Sequence, residues 1–174
     1  MSTNSLNSVI ENDLDLKNIL QDNEAGVIDE SSDYYEASDI SLLDYVDSNL
    51  NVLHINIHSM PAKKELLLNL LNKLKTDGYE IHVILACETF MNENNIDECK
   101  IKGFNMEYTH RTNIARGGVA VYVNNKLKYK TRDDLRILHE GIMESCFVEL
   151  ITTAKVKNIV IGEVYRVPGT YQKE

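Results

Sequence analysis

The sequence has no run approaching the roughly 18 consecutive apolar residues that a membrane-spanning helix needs. Its N-terminus also lacks the basic start and apolar stretch of a secretory leader. A soluble, intracellular protein of nucleus or cytoplasm, with no membrane partner, is the expectation. Cysteine is sparse: Cys87, Cys99 and Cys146 are odd in number, widely spaced and form no CxxC pair. That pattern fits reduced, structurally passive thiols better than a zinc site. His54, His82, His110 and His139 show no metal-ligand spacing, so each is read as structural. No internal repeat is visible.

Basic residues are nearly missing from the first 50 positions, where twelve acids face the single base Lys17 and the charge is −11. Residues 51–174 hold fifteen acids and seventeen bases, a charge of +2, so the total of −9 conceals two different materials. The first segment is rich in Ser, Asn and Asp and poor in β-branched residues, a composition that buries too little apolar surface to offset chain entropy. A disordered acidic arm over 1–50 is expected, read first as a solvated tail without a partner; the alternative is a short amphipathic helix near Ser38 to Val46 (Ile40, Leu42, Leu43, Val46) that docks on one.

Within 51–169 the pattern is that of one folded α/β domain, followed by a tail at 170–174. Asn51 to Ile57 is short, β-branched and alternating. Ser59 then stands as an N-cap before Pro61, and Leu67, Leu70, Leu71 and Leu74 share one helical face. Asp77-Gly78 supplies the stop, predicting a helix from Pro61 to Thr76. The run from Ile81 to Ala86 is almost continuously apolar, as in a strand buried on both faces. Further strands are expected over 104–109, 118–123, 126–131, 146–151 and 158–165. Arg116-Gly117-Gly118 permits positive backbone dihedrals, and Asn124-Asn125 suggests a two-residue hairpin turn. One clear helix among so many strands predicts a mixed, largely antiparallel sheet fed by a single crossover.

Glu88 is a carboxylate at the C-terminal tip of the apolar strand, a place where an acid is held rigidly yet faces solvent, as a hard divalent cation requires. Asn56 ends the preceding strand. Downstream come His110-Arg111, Arg116-Gly-Gly-Val-Ala-Val-Tyr-Val, Glu144-Ser-Cys-Phe-Val-Glu-Leu and Gly162-Glu-Val-Tyr165-Arg-Val-Pro168. In this order these pieces resemble the endonuclease/exonuclease/phosphatase superfamily, with the flavour of the apurinic-type endonuclease domain of non-LTR retrotransposons.

The resemblance covers about residues 51–169 and implies the N-terminal half of a four-layer α/β/β/α sandwich that nicks DNA with Mg2+ or Mn2+. It implies Glu88 as the metal ligand, Asn56 as the amide that orients the phosphate, Tyr165 as the hydroxyl at the scissile phosphate, and Glu144 as a supporting acid. Arg111 and Arg116 are candidate phosphate contacts on DNA. His58 falls where relatives place an acid or another polar group, and reads first as the start of the turn into the helix. Two departures stand out. Tyr165-Arg166-Val167-Pro168 replaces the family's Tyr-Arg-Pro-Pro, and the 174 residues contain neither the Gly-Asp-x-Asn nor the Ser-Asp-His segment that serves the attacking water. Low activity by itself is expected, together with self-association through the exposed inner face of an unpaired sheet. Two other readings remain open: another phosphodiesterase or phosphatase of the same superfamily, and an interaction protein acting through its acidic arm.

Overall fold

The structure, a computed structural model, describes residues 50–152 and 157–169. The acidic arm, its short helix and the C-terminal tail lie outside the described residues. The compact unit begins at Asn51. It is mixed α/β, mostly strand, with two sheets and one main helix.

β1 (Val52–Asn56) leads into α1 (Met60–Thr76) and returns as β2 (Val83–Cys87), which lies parallel to β1 with Asn56 opposite Cys87. The helix begins where the sequence places it. Ser59 accepts from the Ala62 N–H at 3.4 Å, and Pro61 occupies the first turn, where its missing N–H leaves no bond unmade. Its end follows a glycine stop: Gly78 takes φ 93°, and the Gly78 and Tyr79 amides donate to Lys75 and Leu74. Met60, Leu67 and Leu74 are buried.

β3 (Phe104–Thr109) and β4 (Val119–Asn124) complete the first sheet, in the order β1-β2-β4-β3. The second sheet is organised by β7 (Met143–Leu150). One edge of β7 pairs along its whole length with β8 (Ile159–Arg166); the other is shared by β5 (Tyr129–Thr131) and β6 (Ile137–His139). All pairings except β1 with β2 are antiparallel. A second helical layer is not found among the described residues.

The hairpin expected at Asn124-Asn125 is not formed. Leu127 does donate to the Asn124 carbonyl, so the chain turns there. It then leaves the first sheet, and β5 pairs with β7 instead of β4. The strand at 137–139 was not anticipated, because three residues carry too little periodicity to register.

Strand alternation explains the layers. His54, Asn56, Leu85, Cys87, Val119, Val121, Glu107 and Thr109 share the face of the first sheet turned toward the second. β7 and β8 pack against β2, β3 and β4 from that side. Polar side chains stitch the sheets together: Thr109 Oγ1 donates to the Ser145 carbonyl at 2.9 Å, and the Tyr129 hydroxyl donates to Glu107 at 2.9 Å. Ile84, Ala86, Ala120 and Tyr122 point the other way and are fully buried on the helix side.

The inner sheet face expected to lie bare is therefore covered. Apolar exposure on the outer face of the second sheet falls instead at Val160 and Val164, opposite Glu149 and Ser145. No helix among the described residues is long and apolar enough to cross a membrane.

Candidate functional site

The tips of β1 and β2 are bound together beyond the last ladder pair. Ile57 donates to the Cys87 carbonyl, Ser59 to that of Glu88 at 2.9 Å and Met60 to that of Thr89 at 2.8 Å. On the far side Thr89 and Phe90 donate to the carbonyls of Gly118 and Gly117. Glu88 is thus clamped between the helix entry and the Gly-Gly turn, which lets it hold φ 50°. Gly118 is required at close quarters, since a Cβ there would sit 2.8 Å from Thr89 Oγ1.

Three side chains from distant positions converge on the Glu88 carboxylate. Oε1 accepts from Asn56 Nδ2 at 3.1 Å and from the Tyr165 hydroxyl at 2.9 Å. Oε2 lies 2.8 Å from His58 Nδ1. An ionised carboxylate only accepts, which assigns the proton of that bond to Nδ1. Asn56 is fixed in turn, because its Oδ1 accepts from the His58 backbone N–H at 3.2 Å. The His58 ring also stands edge-on to Phe90, centroids 5.0 Å apart.

The electrostatics follow from this arrangement. Burial pushes the Glu88 carboxyl upward, but the hydrogen bonds from His58, Asn56 and Tyr165 outweigh it and hold the group below its ordinary value. Burial and then the bond to Glu88 push the Tyr165 phenol well up, so it stays a hydroxyl donor.

Glu144 lies opposite Tyr165 in the β7–β8 ladder and is completely buried. Arg111 Nε donates to its Oε1, and the Arg111 side chain is only 7% exposed. Arg111 is therefore not the solvent-facing phosphate contact expected of it. It points inward, neutralises Glu144 and lies near enough to Tyr165 to oppose the rise of its phenol pKa. Gly117 makes room for it, since a Cβ there would fall 2.3 Å from the guanidinium carbon. Arg116 is exposed at φ 71° in the adjoining turn.

His58 is a member of this group that sequence reading placed first as a turn residue and only second as a neighbour of the metal or phosphate. It is both: its φ of 45° makes the turn, and its ring closes on Glu88. The available signal was its spacing of two from Asn56. His54, two residues before Asn56, approaches Glu163 at 3.2 Å. The three cysteines are free and buried. Burial raises the Cys87 and Cys146 thiols to about 12 and that of Cys99 to about 11, which makes them poor nucleophiles.

The donor set at the strand tips suits a hydrated hard cation. Glu88 Oε2 keeps a lone pair beyond its single bond to His58, while Asn56 turns its Nδ2 to Oε1 and its Oδ1 to the His58 backbone N–H. Mg2+ and Mn2+ use one or two protein oxygens of this kind and fill the rest of their shell with water and substrate oxygen. The sequence matches no protein-family model, and it matches no curated protein.

Proposed function

We propose that this domain is the metal- and phosphate-holding portion of a phosphodiesterase of the endonuclease/exonuclease/phosphatase type, acting on DNA in the manner of the non-LTR retrotransposon endonucleases. The observation that carries the reading is the meeting of Asn56, Glu88 and Tyr165, whose bonds to one carboxylate span 32 and 77 positions of sequence. The two packed sheets and crossover helix are then half of a four-layer sandwich.

In this reading Glu88 holds a divalent cation, and Asn56 orients the carboxylate through its Nδ2 and then the phosphate. The cation contributes charge stabilisation at a phosphoryl oxygen. Asn56 Nδ2 and the Tyr165 hydroxyl keep Glu88 oriented until substrate arrives, and the hydroxyl is then the donor presented to a phosphate oxygen. His58 shields Oε2 from solvent and gives way when a cation binds. Arg111 and Glu144 support Tyr165 from within the sheet sandwich. The site as assigned supplies the metal- and phosphate-holding side, and the 174 residues contain neither the Gly-Asp-x-Asn nor the Ser-Asp-His segment that serves the attacking water in the family.

The test has two arms. Mn2+ binding, followed by its paramagnetic relaxation of water, is expected for the native chain and lost in Glu88→Gln; binding unaffected by that change refutes the metal role. Nicking of supercoiled plasmid with Mg2+ is expected to be near background, and robust cleavage abolished by Glu88→Gln would overturn the expectation of low activity.

A further inference from the structure

We propose that His54, Cys87 and Glu163 form a second metal site, one for a thiophilic divalent ion of the Zn2+ type, lying between the two sheets and separate from Glu88. The ligand atoms of these three side chains all fall within 4.8 Å of one another. His54 Nε2 is 3.2 and 3.3 Å from the two Glu163 carboxylate oxygens.

The placement follows from strand alternation. His54 precedes Asn56 by two residues on β1, and Glu163 precedes Tyr165 by two on β8, so both point to the same inter-sheet space as the Glu88 group. Two residues along a strand amount to roughly 7 Å, which sets this cluster one step deeper than the Glu88 carboxylate. Cys87 reaches it from the inward face of β2, beside Asn56 in the ladder.

The His54–Glu163 ion pair leaves the Cys87 sulfur beside it unaccounted for. Glu163 is only 5% exposed, at an inward strand position where an apolar residue is the default. Its counter-charge hangs from β1, the edge of the first sheet, on a His54 side chain that is 62% exposed. A nitrogen, a thiol sulfur and a carboxylate oxygen therefore converge at one point between the sheets. Nitrogen, sulfur and oxygen together are the donor set Zn2+ accepts, whereas Mg2+ and Ca2+ take oxygen.

Binding would displace the Cys87 thiol proton to solvent and form one metal–sulfur bond, with no change of oxidation state. The fourth position opens on the exposed His54 side, where water completes a tetrahedron. Because the ligands come from β1, β2 and β8, a bound ion would tie the first sheet to the second. This site does not depend on the reading of Glu88.

Titration of the reduced full chain with Co2+ tests it. The expected result is a thiolate-to-cobalt charge-transfer band that saturates at one equivalent and is displaced by Zn2+. Cys87→Ser should abolish the band, and Cys99→Ser, Cys146→Ser and Glu88→Gln should leave it intact. His54→Gln, at an exposed position that tolerates the change in folding, should weaken binding at least ~10–100-fold, the range known for outer-shell substitutions. Zn2+ should also raise the Tm of the native chain and not that of Cys87→Ser. Absence of the band, its survival in Cys87→Ser, or undiminished affinity in His54→Gln overturns the proposal.

Discussion

Arg111 and Glu144 make the sharpest test of how this domain is assembled. Glu144 has no exposed surface and Arg111 is 7% exposed, so both charges have left water. Their contact is incomplete as well, since Arg111 Nη2 and Glu144 Oε2 have no hydrogen-bond partner among the described residues. A buried pair of this kind adds little net stability, because desolvation nearly cancels attraction, but removing one partner strands a charge. Arg111→Met should therefore cost about 3–5 kcal/mol, a large share of the ~5–15 kcal/mol that holds a typical domain together. With a urea slope of about 2 kcal/mol per molar, the unfolding midpoint should fall by about 2 M. The double change Arg111→Met with Glu144→Leu removes both charges and should recover that loss, ending neutral or up to ~4 kcal/mol more stable. Equilibrium urea unfolding of these two variants and of the single change Glu144→Leu measures the cycle. A single-variant cost below ~1 kcal/mol, or a double variant no better than the single, would refute the buried pairing.

Three further outcomes follow from the site. Tyr165→Phe removes one donor to the Glu88 carboxylate and should cost about 1 kcal/mol at neutral pH. Glu88 is held below its ordinary value, so its contribution is present above the unfolded carboxylate pKa of about 4.3 and fades as pH falls through the lower folded value. The variant and native stabilities should accordingly converge in acid, as read by urea unfolding across pH. Arg116→Gly replaces an exposed residue at φ 71° with one that accepts that conformation; stability should hold or rise by up to ~1 kcal/mol, and under the proposed function the salt slope of DNA binding should fall by about one unit. Metal-free native protein should react with a thiol reagent only as it unfolds, because its three thiols are buried and raised to about 11 or 12.

What could be read in advance was local. Ser59, Pro61 and Asp77-Gly78 announced α1 to within a residue, because caps and stops act on the backbone beside them. Glu88 and Asn56 were marked by their places at two strand ends, whereas the role of Asn56 and the choice of Tyr165 came only through family resemblance. The partners that depend on packing were not legible. Whether Arg111 faces DNA or Glu144 depends on how β7 settles under the Gly-Gly turn. His54, Cys87 and Glu163 carry no shared spacing, since they lie on three strands that meet only when the two sheets close. Asn124-Asn125 shows the same limit: its turn chemistry was sound, but what β5 pairs with is decided by β7, some twenty residues further on.

The backbone at Glu88 adds a reason to regard the carboxylate's position as selected. Alternation along β2 puts Cys87 on the inter-sheet face and would send the next side chain to the helix side, with Ala86. Glu88 instead reaches Asn56 and Tyr165 on the inter-sheet side, and its φ of 50° is the turn that redirects it. His58, Ser59 and Phe90 beside it also have positive φ, at ~1–3 kcal/mol each for such outliers. Nothing in a β-α-β crossover demands this; the carboxylate's destination does. Stability and binding should therefore separate at this position. Glu88→Gly relaxes the turn while Glu88→Ala keeps its strain, and both lose the cation ligand, so the glycine variant should be the more stable of the two by about 1 kcal/mol with Mn2+ binding absent from each. An alanine variant as stable as the glycine one would mean that the strained turn does not persist without the carboxylate, and that Glu88 is held by its bonds alone.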